Sequence, residues 1–140
     1  MSIVLSSEGL STAKRTILPG CSFYLGVPQA PARKLIKADL PVAVATDFNP
    51  GSAMIESLPL VMSIACIQAK MTPTEVLVAA TANAAAAINR HDRLGAIKVG
   101  LQADLIVLDA PNFDRWIYEH GRHAVRAVVK NGDVVVNKNL

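Results

Sequence analysis

The residues of this 140-residue chain best suited to chemistry stand together in Asp47-Phe48-Asn49-Pro50-Gly51-Ser52, directly after the apolar run at 41–46 (PVAVAT). A carboxylate at the carboxyl end of a buried parallel strand faces the active site when such strands close into a barrel. There it can hold a divalent metal and accept a proton from water that the metal has made acidic. Asn49 adds an amide, Gly51 permits close backbone approach and Ser52 adds a hydroxyl, a set that suits a ligand bearing a carboxylate. The same residues are also good turn formers, because Asp and Asn bond their own backbone and Pro-Gly reverses the chain. On spacing alone, Asp47 reads equally as a metal ligand or as a turn residue.

The remaining candidates are weaker. A metal-hydrolase site needs several neutral imidazoles. The chain has His91, His120 and His123, and no His-x-His pair. His120 and His123 have a spacing that could bind metal on a helix, but Gly121 between them disfavours one. All three therefore read as surface histidines. Cys21 and Cys66 have no motif spacing and no base at recognisable distance, so they read as small buried hydrophobes rather than nucleophiles. Unpaired thiols fit a reducing compartment.

The elements that must position this loop can be read around it. Residues 6–14 could open with a serine-capped helix. Residues 15–18 (RTIL) form a short β-prone run, stopped by Pro19-Gly20 as a turn. Residues 31–39 (PARKLIKAD) carry apolar positions at helical spacing, and 41–46 predict a strand buried on both faces. After the Asp47 loop, two helices are expected. One, over 58–70, is apolar nearly all round. The other starts at Thr72-Pro73-Thr74-Glu75, a capping box with proline in the first turn, and runs to about Ile88 with Asn89 at its end. Residues 95–109 and 124–137 are β-rich, and Asn131-Gly132 predicts a type I′ hairpin. Trp116 and Tyr118 are expected to pack against this antiparallel patch or to cover apolar surface. The boundary between the two regions falls near 90–94.

Composition narrows the class. Hydrophobic residues make up 51%, charged residues 18% and aromatics 4%, a balance for an aliphatic globular core. The net charge of +3 comes from scattered basic residues without interleaved aromatics, which argues against nucleic acid. No segment approaches the roughly 18 apolar residues of a membrane span, and the first residues lack the apolar core of a signal peptide. A cytoplasmic protein without a membrane partner is the expectation.

Several segments bring a family into view. Asn83-Ala84-Ala85, Gly95-Ala96-Ile97, Gly100 and residues 103–109 (ADLIVLD) resemble the close of metal-dependent amidohydrolases. Residues 45–52 (ATDFNPGS), Glu56-Ser57-Leu58-Pro59-Leu60, Leu18-Pro19-Gly20 and Phe23-Tyr24-Leu25 are similar to the imidazolonepropionase branch. That resemblance implies an α/β fold: the last two strand–helix units of a (β/α)8 TIM barrel over 1–90, then C-terminal strands of a small β-sandwich over 91–140. It implies that Asp47 is both metal ligand and catalytic proton carrier, that Asn49 and Gly51 contact the acyclic product and that Ser52 touches the imidazolone ring. The implied cofactor is zinc or iron. The implied reaction is metal-hydroxide hydrolysis of 4-imidazolone-5-propanoate to N-formimidoyl-L-glutamate in histidine degradation. The family's His-x-His pair, later metal histidine and catalytic His and Glu have no counterpart here, so this chain alone is expected to be inactive and to hold metal weakly. Two other readings stay open: another amidohydrolase, such as a deaminase or dihydroorotase-like enzyme, and a non-catalytic module. Two barrel strands would leave an unpaired edge, and the helix over 58–70 would expose some of Leu60, Val61, Ile64 and Ile67. Self-association or pairing with an N-terminal portion is therefore expected.

Overall fold

A computed structural model describes residues 15–138; the helix expected over 6–14 lies outside the described residues. The chain first forms β1 (Arg15–Ile17), and β2 (Val42–Val44) pairs with it in parallel, with Arg15 opposite Val42 and Ile17 opposite Val44. All three β2 residues are buried, as the unbroken apolar run predicts for a strand covered on both faces.

Between these strands the structure corrects the sequence reading. Pro19-Gly20 does not make a turn; it opens α1 (Pro19–Leu25). Proline suits the first helical turn, where its missing amide has no partner to lose. Leu18 supplies no side-chain cap, so the helix start carries no local signal. Gly26, at φ +65°, ends α1 in the left-handed conformation, its amide donating to the carbonyls of Ser22 and Phe23. Then α2 (Ala32–Lys37) returns the chain to β2, within the stretch where helical spacing placed it.

Beyond the Asp47 loop, Ser57 caps α3 (Leu58–Ile67), its hydroxyl accepting from the Leu60 amide at 3.3 Å. The box at the start of α4 (Pro73–Ala80) is complete. The Thr72 hydroxyl accepts from the Glu75 amide at 3.2 Å, and the Glu75 carboxylate accepts from the Thr72 amide at 2.7 Å. The helix expected to continue to Ile88 breaks at Thr81 (φ −120°, ψ −89°) and resumes as α5 (Ala82–Ala87). Two side-chain bonds flank the break: the Thr81 hydroxyl donates back to the Leu77 carbonyl at 2.6 Å, and Asn83 Nδ2 donates to the Val42 carbonyl at 2.9 Å. The second bond fastens α5 to the start of β2. Asn89, at φ +56°, follows α5 as expected.

The last third holds β3 (Leu105–Leu108), α6 (Phe113–Tyr118), β4 (Val125–Lys130) and β5 (Asp133–Asn137). The strands form an antiparallel sheet in the order β3-β4-β5, with Ile106, Val128 and Val136 in one cross-strand row. Asn131 and Gly132 both have positive φ, as a type I′ hairpin requires. The strand signal over 95–104 is not realised. This stretch is turn and coil, with Ile97 and Val99 almost wholly exposed. A β-prone run without a partner strand has nowhere to place its backbone hydrogen bonds.

Of the two expectations for Trp116, the second holds: it covers apolar surface, that of the main core rather than of the β3–β5 sheet. Trp116 and Ile117 join the core of Ile17, Val42, Val44, Val61 and Val76, while Tyr118 stays exposed. The Ile117 carbonyl accepts from the buried Ser63 hydroxyl of α3 at 2.7 Å. Val61 belongs to this same core cluster and Ile64 is buried too, while Ile67 is half-exposed on α3. Burial of each large aliphatic side chain contributes about 1.5–3 kcal/mol, so α6 is integral to the core. No helix among the described residues is long and apolar enough to cross a membrane.

Candidate functional site: the loop after the second strand

Ala45 and Thr46 carry the chain out of the carboxyl end of β2, and partly buried Asp47 follows at φ +51°. Four other described non-glycine residues have positive φ. Asp39, Lys70 and Asn89 follow helices α2, α3 and α5, and Asn131 turns the hairpin. Asp47 belongs to neither group. The left-handed region costs most L-residues about 1–2 kcal/mol, and Asp and Asn visit it most readily. Among the described residues, no side-chain hydrogen bond or ion pair engages the Asp47 carboxylate. It is a lone oxygen donor at a strand end.

Asn49 organises the rest of the loop. Its Oδ1 accepts from the amides of Gly51 and Ser52, both at 2.9 Å, and its Nδ2 donates to the Asp47 carbonyl at 2.6 Å and to Ser52 Oγ at 3.1 Å. The Ser52 hydroxyl lies 3.3 Å from Asn49 Oδ1. The backbones of Asn49 and Ala53 bond each other in both directions, at 3.0 and 3.3 Å. A Cβ on Gly51 would stand 3.2 Å from Asn49 Oδ1, which crowds the turn. The turn chemistry read from these residues is thus realised, and it is the framework in which Asp47, Gly51 and Ser52 sit.

The platform beneath the loop was not read from the sequence. Ala53 is fully buried and packs with Leu18 and Cys21, with Ala45 against them. A Cβ on Gly20 would meet Val61 at 3.1 Å and Ile55 at 3.4 Å. The first turn of α1 therefore lies directly under both ends of the loop, and Gly20 is small because three segments converge on it. The Leu18-Pro19-Gly20-Cys21 run was the available signal, obscured by reading its Pro-Gly pair as a turn. Cys21 is the buried small side chain expected of it.

The structure does not bring the other candidates to Asp47. His91, His120 and His123 are exposed. His120 and His123 border a cleft of about 230 Å³ between α3 and α6, beside Ser57 and Trp116. Among the described residues, no three His, Cys, Asp or Glu side chains gather in a way that could hold a metal ion. Burial raises the Cys66 thiol above its ordinary value, and the Glu75 and Asp114 carboxylates add to the shift, so it stays protonated and unreactive. The strongest polar cluster is structural. Asp104 accepts from Lys130, from the Asn131 amide at 2.8 Å and from Gln102 at 3.0 Å, and these bonds, Lys130 first, hold its carboxyl down at about 2. It fastens the hairpin turn. The pair Arg33–Glu75 at 2.5 Å similarly ties α2 to α4.

A carboxylate at the carboxyl end of a parallel strand, over a helix-supported loop, invites comparison with known proteins. The model of the amidohydrolase family matches residues 8–135. This chain belongs to the amidohydrolase family. It is 51% identical over 120 residues to the imidazolonepropionase of Geobacillus sp. (strain WCH70), covering 86% of this chain and 28% of that protein. It is 46% identical over 139 residues to the imidazolonepropionase of Caldanaerobacter subterraneus subsp. tengcongensis, covering 94% of this chain and 34% of that one. The chain thus spans about a third or less of these relatives' length. Among solved structures it is similar to a zinc-bound adenosine deaminase from Xanthomonas campestris, with TM-score 0.78 and 29% identity over 87% of this chain and 31% of the deaminase. A guanine deaminase from E. coli shares the fold at TM-score 0.73 and 15% identity, over 89% of this chain and 34% of that one.

Proposed function

We propose that this amidohydrolase segment supplies part of an imidazolonepropionase active site, hydrolysing 4-imidazolone-5-propanoate to N-formimidoyl-L-glutamate. The observation that carries the proposal is the Asp47 loop: an unengaged carboxylate at the end of β2, in a chain 46–51% identical to imidazolonepropionases over the matched residues. In this reading β1, β2 and helices α1 to α5 are the last two strand–helix units of a (β/α)8 barrel, residues 1–90. Strands β3 to β5 belong to a small β-sandwich, residues 91–140, with α6 reaching back to the barrel part.

The donor set fits a metal in part. Asp47 offers one hard oxygen, suited to zinc or iron as a member of a mixed nitrogen and oxygen set, and the described residues offer no further ligand beside it. When bound, such a metal polarises the scissile bond and acidifies water. Asp47 would hold it through its carboxylate, and a carboxylate oxygen would take the proton of the attacking water and pass it to the departing ring nitrogen. Gly51 and Ser52 form the adjoining wall with Asn49, and we assign these three to the substrate. By the family resemblance, Asn49 and Gly51 would lie against the carboxylate-bearing end and Ser52 against the ring, while the Asn49 side-chain amide is itself bonded within the loop. The remaining metal ligands and the catalytic His and Glu come from outside this chain. A partner carrying the rest of the barrel would complete the site, whereas a homo-oligomer would only cover exposed surface, and the two free thiols suit a cytoplasmic setting.

The test is a hybrid in which this chain replaces the matching segment of the Geobacillus sp. imidazolonepropionase. Given 4-imidazolone-5-propanoate, adenosine and guanine in turn, it is expected to turn over only the first. Deamination of either base compound, with no imidazolone turnover, would overturn the assignment in favour of a deaminase.

A further inference from the structure

We infer that Asn49 is a positioning residue for Asp47: its side-chain amide holds the Asp47 backbone in the left-handed conformation that aims the carboxylate. The inference rests on the assignment of Asp47 as the metal carboxylate, and it gives Asn49 a task beyond touching substrate. Asp47 is the one described non-glycine residue with positive φ that neither follows a helix nor turns a hairpin. No capping bond accounts for its conformation. What touches its backbone is Asn49, whose Nδ2 donates to the Asp47 carbonyl at 2.6 Å. Strained backbone of this kind persists only where surrounding bonds over-determine it, and it concentrates at functional sites.

Asn49 is itself held on every side. Oδ1 is fixed by two amide donors, from Gly51 and Ser52, and the Asn49 backbone is bridged to fully buried Ala53. Ala53 in turn is anchored by Leu18 and Cys21 of the α1 platform. A continuous path therefore runs from the core, through Ala53 and Asn49, to the Asp47 carbonyl. Without the Nδ2 bond, the Asp47 peptide is free to flip to extended backbone. The carboxylate then leaves its direction at the strand end, although every residue of the site remains. Preorganisation of this kind appears in turnover, because a misplaced catalytic group costs rate even when binding survives.

The experiment compares Asn49→Ala and Asn49→Asp with the parent chain by NMR. Asn49→Asp keeps an oxygen acceptor for the Gly51 and Ser52 amides and loses the Nδ2 donor to the Asp47 carbonyl and to Ser52 Oγ. The parent should show the strong intraresidue amide-to-Hα cross-peak of a left-handed residue at Asp47, and both variants should lose it while the Val61 and Val76 core signals stay in place. An Asp47 cross-peak of parental strength in Asn49→Asp would overturn the inference. In the hybrid enzyme the same two variants should lower kcat at least ten-fold with metal content unchanged. A rise in KM with kcat intact would mean that Asn49 only contacts substrate, and would equally overturn it. If the parent hybrid fails to turn over imidazolone propionate while the NMR result holds, the positioning geometry stands and the proposed reaction falls.

Discussion

Replacing Gly95 by alanine should destabilise the chain more than its partly exposed position suggests. Gly95 has φ +96°, and a Cβ there would lie 2.8 Å from the Ala85 Cβ, 3.0 Å from the Ala82 Cα and 3.0 Å from the Thr81 carbonyl. Two costs combine. The backbone conformation is unfavourable for an L side chain by about 1–3 kcal/mol. Forcing a methyl into a closed contact adds a further ~1–3 kcal/mol. The stiffer unfolded chain offsets roughly 0.4–1 kcal/mol. The net expectation is a loss of about 1–5.5 kcal/mol. Gly100 is the internal control. Its φ is +89°, but nothing lies within 4 Å of a Cβ, so Gly100→Ala should show the backbone cost alone. The single tryptophan, Trp116, is buried in the core and reports unfolding directly in a urea titration. If Gly95→Ala and Gly100→Ala shift the midpoint equally, the close approach of the connector to α5 is refuted.

Thr72→Ala removes one half of the capping box and should cost roughly 1 kcal/mol in the same titration; a change under about 0.3 kcal/mol would show that the box contributes little to α4. The Asp104 carboxyl lies at about 2 against an ordinary 3.8, so its stabilising effect is complete above the ordinary value and disappears as pH falls from about 4 towards 2. Amide exchange in the β4–β5 hairpin should accelerate over that window, and Asp104→Asn should abolish the pH step; an Asp104 that titrates at its ordinary value would contradict this. Phe23, Tyr24 and Leu25 on α1 and Val134, Val135 and Val136 on β5 are exposed, and among the described residues the β1–β2 sheet has two strands. Sedimentation at micromolar concentration should therefore show association, whereas a compact monomer with a cooperative melt would show that these surfaces do not drive it.

How much could be read from the sequence depended on whether the cause was local. Thr72-Pro73-Thr74-Glu75 and Asn131-Gly132 behaved as their letters require, because caps and tight turns are decided within four residues. β2 was readable because an apolar run between breakers leaves few alternatives, and the Asp47 loop was readable as a turn. The break at Thr81 was not. The Ala-rich stretch has good helix propensity throughout, and what coincides with the break is a bond from Asn83 to the carbonyl of Val42, 41 residues earlier. The α1 start was hidden because Leu18 offers no capping oxygen. Residues 95–104 carried a strand pattern that no neighbouring strand could use. At the candidate site, residue types singled out Asp47, Asn49, Gly51 and Ser52 as candidates, whereas the bonds around Asp47 and the platform under Ala53 appear only in three dimensions.

The central claim is that Asp47 provides the metal carboxylate of an imidazolone hydrolase, and the most direct measurement of it is turnover by the hybrid enzyme with Asp47 and with Asp47→Asn. Asparagine keeps the shape and the tolerance for left-handed backbone but removes the charge and the proton-accepting oxygen. With Asp47, the hybrid should bind zinc or iron and open the imidazolone ring. With Asn at position 47, kcat should fall by about 10²–10⁴-fold, the range typical for losing a general acid–base group, while the fold remains intact. An Asp47→Asn hybrid that turns over imidazolone propionate at the rate of its parent would contradict the account.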